Sequence, residues 1–118
     1  MDDPMRILVV DDSSMVRMTL REELEAGEYE VLEAANGLEA LVKISGPRPP
    51  DLMTLDVEMP NMSGLEFLKR LMKHRPMPVV MVSTLTQKGS DVAVEAMALG
   101  AVDCVEKPKL GGGTDNFA

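Results

Sequence analysis

Five short apolar runs recur along the chain at intervals of about 22 to 27 residues: Arg6 to Val10, Tyr29 to Ala34, Leu52 to Val57, Val79 to Ser83 and Ala101 to Glu106. They are rich in Val, Ile, Leu and Met, as strands buried on both faces must be. The stretches between them carry helical spacing instead: Val16, Leu20 and Leu24; Leu38, Leu41 and Ile44; Leu65, Leu68 and Leu71 with Met72; Val92, Ala93, Ala96 and Met97. Ser13-Ser14, Asn36-Gly37, Ser63-Gly64 and Ser90 stand where these helices begin, and Gly27, Gly46 and Gly100 where they end. Strict alternation of strand and helix predicts right-handed crossovers and a parallel sheet covered on both faces. The fold class is therefore α/β, a doubly wound five-stranded parallel sheet. After Lys107-Pro108 only ten residues remain, and Thr114 to Ala118 is at most about one turn of helix. The expected domain lacks most or all of a fifth helix.

A chain of 118 residues makes one domain, too short for a multi-domain enzyme. Residues 1–110 are expected to form it, and residues 111–118, opening with Gly111-Gly112-Gly113, read as the start of a Gly-rich linker to a downstream domain that is absent here. Twenty acidic against twelve basic residues give a net charge of −8, which disfavours nucleic acid or an anionic membrane as a partner. The longest apolar run, Pro76 to Val82, falls far short of the ~20 residues that span a bilayer. A single Cys104 and the absence of a signal-like start point to a reducing, cytoplasmic compartment. Eleven methionines and only 3% aromatics imply an aliphatic core in which Met15, Met18, Met53, Met59, Met62, Met72, Met81 and Met97 mainly pack in the core or in loops.

In open α/β sheets, ligands bind beyond the carboxyl ends of the strands. The first strand runs into Asp11-Asp12-Ser13-Ser14, the third into Asp56-Val57-Glu58-Met59-Pro60, the fourth into Ser83-Thr84 and the fifth into Lys107-Pro108. Taken singly, each ending has an ordinary role as a cap, loop entry or turn. Together they bring three carboxylates, a hydroxyl and an amine to one rim. Asp11, Asp12 and Asp56 would repel one another without a cation. Mg²⁺ together with Lys107 neutralises them, and its octahedral shell leaves room for a phosphoryl oxygen. Such a site suits phosphoryl transfer to a carboxylate, with Asp56 as the nucleophile and the Ser83 hydroxyl and Lys107 ammonium as donors to the added phosphate. His74, at a helix end beside Lys73 and Arg75, reads as a cap rather than a catalyst. The acidic run from Glu22 to Val42 and the basic run from Lys69 to Lys88 read as solvated faces. No glycine fingerprint follows the first strand, so a dinucleotide site is disfavoured.

These residues make the chain resemble a bacterial response-regulator receiver domain from about Arg6 to Pro108, on the strength of Asp11-Asp12, Asp56, Ser83 and Lys107-Pro108. The resemblance implies a flavodoxin-like strand order 2-1-3-4-5 and Asp56 as phosphoacceptor. It implies Mg²⁺ held by Asp12 and Asp56, by Asp11 through water and by the Glu58 backbone carbonyl, and a cis bond before Pro108. Leu55 to Pro60, Arg75 to Ser83, Leu85-Thr86 with Lys88-Gly89-Ser90, and Leu99 to Asp103 are further similar to the regulatory domain of chemotaxis protein-glutamate methylesterases. This implies a chemotaxis histidine kinase as partner and a covalently linked methylesterase as effector. The chain would then be a regulatory fragment, not itself an enzyme.

Two departures follow. Cys104 stands where receivers commonly carry Tyr or Phe, so any switch must use Ser83 and backbone motion. Glu58 adds a fourth carboxylate near the site. The competing readings are a stand-alone or transcription-factor receiver, a receiver kept only for docking, and a haloacid-dehalogenase-like phosphohydrolase. The last would place its nucleophile after the first strand in an Asp-x-Asp pattern, which Asp11-Asp12-Ser13 lacks. The face left open by the missing helix is expected to be covered by a second copy, as a homodimer, or by a neighbouring molecule, or else the fragment is expected to be marginally stable.

Overall fold

The structure, a computed structural model, describes residues 3–59, 62–84 and 90–108. Strand and helix alternate throughout: β1 (Arg6–Val10), α1 (Ser14–Ala26), β2 (Glu30–Ala34), α2 (Gly37–Ile44), β3 (Leu52–Asp56), α3 (Gly64–His74), β4 (Val79–Val82), α4 (Asp91–Leu99) and β5 (Asp103–Val105). All strand pairs are parallel, in the order β2-β1-β3-β4-β5. The expected sheet and its order are both present.

Alternation along β1 divides the interior. Leu8 and Val10 face the larger core, with Met53 and Leu55 of β3, Ala40 and Ile44 of α2, Phe67, Leu68 and Leu71 of α3, and Ala96 of α4. Ile7 and Val9 face the other way, packing with Val31, Leu52 and the α1 residues Leu20 and Leu24. Leu8, Leu55 and Leu68 are fully buried, each contributing on the order of 1.5–3 kcal/mol of hydrophobic stabilisation. No helix among the described residues is long and apolar enough to cross a membrane.

All four helices of the described residues start on a residue legible in the sequence. Side chains of Ser13, Asn36, Ser63 and Ser90 accept the backbone N–H of Val16, Glu39, Glu66 and Ala93 respectively. Gly100 closes α4 at φ +117°, a left-handed conformation that glycine adopts without strain. Elsewhere the boundaries are tighter than expected, because backbone groups are taken up by turns. Tyr29 N–H bonds the Leu24 carbonyl and therefore lies outside β2. Ala101 N–H closes α4 on Ala96, which leaves only Asp103–Val105 to β5. Ser45, not Gly46, caps α2.

Two further expectations change in detail. Of the eight methionines, Met53, Met59 and Met81 are buried and Met62 and Met72 pack against the core, as expected, but Met15, Met18 and Met97 are about half exposed, on α1 and α4. The unbranched methionine side chain suits either place, so its identity alone does not locate it. The described residues contain no cis peptide bond, so the bond before Pro108 is trans, the isomer that X-Pro bonds favour. Val102 and Val105 are exposed at the β5 end of the sheet. The expected absence of a fifth helix and the proposed linker at residues 111–118 lie outside the described residues.

One glycine joins the fold to the strand ends. A Cβ on Gly64 would stand 2.0 Å from the Asp56 carbonyl oxygen and 2.8 Å from Val57 Cα. Gly64 N–H also bonds the Val57 carbonyl at 2.7 Å, so α3 is pressed directly against the exit of β3. Gly64→Ala is expected to destabilise the chain by about 1–3 kcal/mol in urea unfolding, the usual result of overpacking. Gly46→Ala, where the nearest atom is 3.8 Å away, should be neutral or mildly stabilising.

Candidate functional site

Asp11 lies one residue past β1 and extends its ladder, donating its N–H to the Ala34 carbonyl. Its Oδ1 accepts the Ser13 N–H at 2.8 Å, and Arg17 donates to its carbonyl at 2.6 Å. Arg17 is itself held by Glu33 at 2.9 Å. Burial works against the Glu33 charge, but Arg17 and Arg21 outweigh it and hold that carboxyl below the usual range. Ser13 caps α1, so neither Asp11 nor Asp12 is used as the cap.

Asp56 ends the central strand with its side chain fully buried. Its Oδ1 accepts the Glu58 N–H at 3.2 Å and lies 3.3 Å from Lys107 Nζ. The same ammonium is 3.5 Å from Asp11 Oδ2, an ion-pair distance too long for a good hydrogen bond. Asp11 Oδ2 and Asp56 Oδ2 are buried and lack a hydrogen-bond partner. Carboxylate oxygens of Asp11, Asp12 and Asp56 lie within 4.8 Å of one another. Asp12 is exposed.

This geometry has a direct electrostatic result. Burial, followed by the neighbouring Asp11 charge, pushes the Asp56 carboxyl up to about 6. Burial also raises Asp11. For Lys107 burial works in the opposite direction, yet the two carboxylates outweigh it and raise its pKa. One ammonium stands against a cluster of three acids, pairing with Asp11 and Asp56, and two buried carboxylate oxygens have no hydrogen-bond partner. A hard divalent cation with oxygen ligands fits that donor set, and Mg²⁺ is the cation it suits. The expected Mg²⁺ site therefore agrees with the residues present.

The structure groups Asp11, Asp12, Asp56 and Lys107 at one rim, and Ser83 is tied to that group through Glu58. Ser83 is buried at the end of β4, its N–H bonded to the Val105 carbonyl. Its hydroxyl donates to Glu58 Oε1 at 3.2 Å, and the Thr84 hydroxyl donates to the same oxygen at 3.3 Å. Glu58 is thus tied to the site by its N–H and turned by its carboxylate toward the hydroxyls. Sequence reasoning missed this role of Thr84, the Arg17 support of Asp11 and the packing of Gly64. Only Gly64 left a signal, as a glycine at the first position of a helix that follows the acidic strand end. Cys104, in register with Met81, has its Sγ 3.8 Å from the Ala93 carbonyl, and burial raises its thiol pKa. His74 stands in the last turn of α3, at the helix end, as expected.

A parallel sheet with an acidic triad and a lysine at its carboxyl rim defines the class, and the comparisons with known proteins agree. Residues 7–111 match the response regulator receiver domain family, and the chain belongs to it. It is 52% identical over 112 residues to a protein-glutamate methylesterase/protein-glutamine glutaminase of Xanthomonas oryzae pv. oryzae, covering 93% of this chain and 31% of that protein. The corresponding protein of Dechloromonas aromatica is 47% identical over 116 residues, covering 96% of this chain and 33% of that one. The chain therefore spans about a third of the length of these relatives. Among solved structures, the response regulator domain of Thermotoga maritima CheB superposes with a TM-score of 0.81 at 44% identity, covering 89% of this chain and 79% of that one. A chemotaxis response regulator of Vibrio cholerae gives 0.78 at 34% identity, covering 91% and 89% respectively.

The raised Asp56 pKa predicts a pH signature. Without metal, the folded chain binds more protons than the unfolded chain between about pH 4 and 6, so stability falls as pH rises through that window. A rise from 3.8 to about 6 corresponds to on the order of 3 kcal/mol lost above it. Asp56→Asn keeps the shape without the charge. The metal-free variant is expected to melt higher than wild type above about pH 7, with the gap closing toward about pH 4.5 and narrowing when Mg²⁺ saturates the wild type. Equal melting temperatures without metal near neutral pH would contradict this assignment.

Proposed function

We propose that this chain is a phosphoacceptor module that receives a phosphoryl group on Asp56 and passes the change to a linked effector. The observation that carries the reading is the buried Asp56 Oδ2, unpartnered and beside Asp11 and Lys107 at the sheet rim. In the proposed reaction this oxygen attacks the phosphorus of a phosphohistidine. A P–O bond forms, the P–N bond breaks, and the departing imidazole nitrogen takes a proton from solvent. Lys107 already points its ammonium at Asp56 and would donate to a phosphoryl oxygen, as would the Ser83 hydroxyl after a change of partner. Asp11, Asp12 and Asp56, with the Glu58 backbone carbonyl, would hold Mg²⁺. When bound, Mg²⁺ supplies charge neutralisation for the transferring phosphoryl group.

We assign the phosphodonor to a histidine kinase of a chemotaxis-like system and the effector to a protein-glutamate methylesterase domain. The identity to methylesterases and their threefold greater length support this assignment. On this reading residues 1–110 are the regulatory domain and residues 111–118 begin the linker. This portion does not hydrolyse esters, and the whole acts in the cytoplasm. The exposed Val102 and Val105 edge is then a surface for the linked domain rather than for a second copy. The stand-alone receiver is the second reading, favoured by the nearly complete overlap with the Vibrio cholerae regulator but at lower identity.

The test is chemical. A small acyl phosphate with Mg²⁺ is expected to add one phosphate to the wild type and none to Asp56→Asn, read by intact-mass measurement. Equal labelling of the two proteins would remove Asp56 as the acceptor. Sustained turnover of a simple phosphate ester would point instead to a phosphohydrolase.

A further inference from the structure

Ser83 and Thr84 follow β4, and Glu58 lies two residues past the Asp56 end of β3. A single carboxylate oxygen, Glu58 Oε1, accepts both hydroxyls, at 3.2 Å from Ser83 and 3.3 Å from Thr84. These bonds join two loops that are 25 and 26 residues apart in sequence. The backbone of Glu58 is fixed at the same time, because its N–H donates to Asp56 Oδ1. The residue therefore links the strand end that carries Asp56 to the strand end that carries the hydroxyls.

A hydroxyl has one proton to donate. For the Ser83 hydroxyl to serve a phosphoryl oxygen, it must first leave Glu58. Thr84 holds the same stretch of backbone to the same acceptor, so both bonds resist the exchange. Phosphorylation adds about one unit of negative charge beside Glu58, which weakens the hold by repulsion. We propose that Glu58, through its side chain, is a positioning residue that locks the Ser83-Thr84 segment in its resting place and competes with the phosphoryl group for the Ser83 proton. The lock deepens the phosphoacceptor reading and rests on it. It assigns Thr84 a part in setting the resting bias.

The probe is beryllofluoride, a phosphoryl mimic, titrated calorimetrically into the 118-residue chain at saturating Mg²⁺, with Mg²⁺ alone titrated in parallel. Thr84 is exposed, so Thr84→Val removes a hydroxyl of nearly equal volume without disturbing the core. It is expected to tighten beryllofluoride binding about 3- to 10-fold, the shift that losing one ordinary hydrogen bond from the resting state allows, and to leave Mg²⁺ affinity unchanged. Glu58→Gln keeps an acceptor oxygen but loses its charge, and should also tighten beryllofluoride. Combined with Thr84→Val its effect should be less than additive, because both changes release one lock. Beryllofluoride binding by Thr84→Val equal to or weaker than wild type would overturn the lock, as would strict additivity. A wild type that binds Mg²⁺ but no beryllofluoride would overturn the phosphoacceptor reading and the lock with it.

Discussion

Two carboxylates buried side by side govern this molecule. Asp11 and Asp56 sit at the carboxyl ends of adjacent strands, each with one oxygen that no hydrogen bond satisfies. Taking an ionised carboxylate out of water is costly, and placing a second one beside it adds repulsion. Lys107 offsets part of this, approaching both acids at 3.3 and 3.5 Å. It leaves enough uncompensated charge for burial and Asp11 together to push Asp56 up to about 6. A core built only for stability would have replaced such a cluster with apolar groups. Its presence leaves an imbalance of charge at the rim that a bound cation would relieve.

The sheet makes that concentration of charge hold together. Parallel pairing puts every strand's carboxyl end on one rim, so residues as distant as Asp11, Asp56 and Lys107 meet without any local sequence signal joining them. Position at the rim is then fixed by short backbone contacts. Asp11 is held by the Ser13 N–H and by Arg17, and Asp56 by the Glu58 N–H. Gly64 lets α3 approach the Asp56 carbonyl more closely than any side chain would permit. Helix packing and acid placement are thus one constraint at the end of β3. A change that moves α3 outward also moves the acid.

Much of this was legible in the sequence because it depends on local chemistry or on strand periodicity. The four caps are short-range hydrogen bonds between a side chain and an N–H three residues on, and Ser13, Asn36, Ser63 and Ser90 announced them. The acids were legible as polar endings of apolar strands, while the strand order rested on resemblance, since periodicity does not rank neighbours. What was not legible is what tertiary packing decides. Tyr29 and Ala101 fall outside their strands because neighbouring turns claim their N–H groups. Met18 and Met81 look alike in sequence, but one lies half exposed on a helix and the other is fully buried in β4.

The direction of the Glu58 side chain belongs to that second group, and it changes how the fourth carboxylate should be understood. Counted with Asp11, Asp12 and Asp56, it would deepen the negative field at the metal position. Its Oε1 is instead occupied by two hydroxyl donors from the loop after β4. With Cys104 rather than an aromatic ring on β5, no large side chain at that position is available to move in step with Ser83. If Asp56 is the phosphoacceptor as proposed, its coupling to the surface beyond β4 would run through small groups. On the proposed reading, Ser83 would exchange a fixed carboxylate for an arriving phosphoryl oxygen, and the difference between these two acceptors would set much of the energy available to the switch.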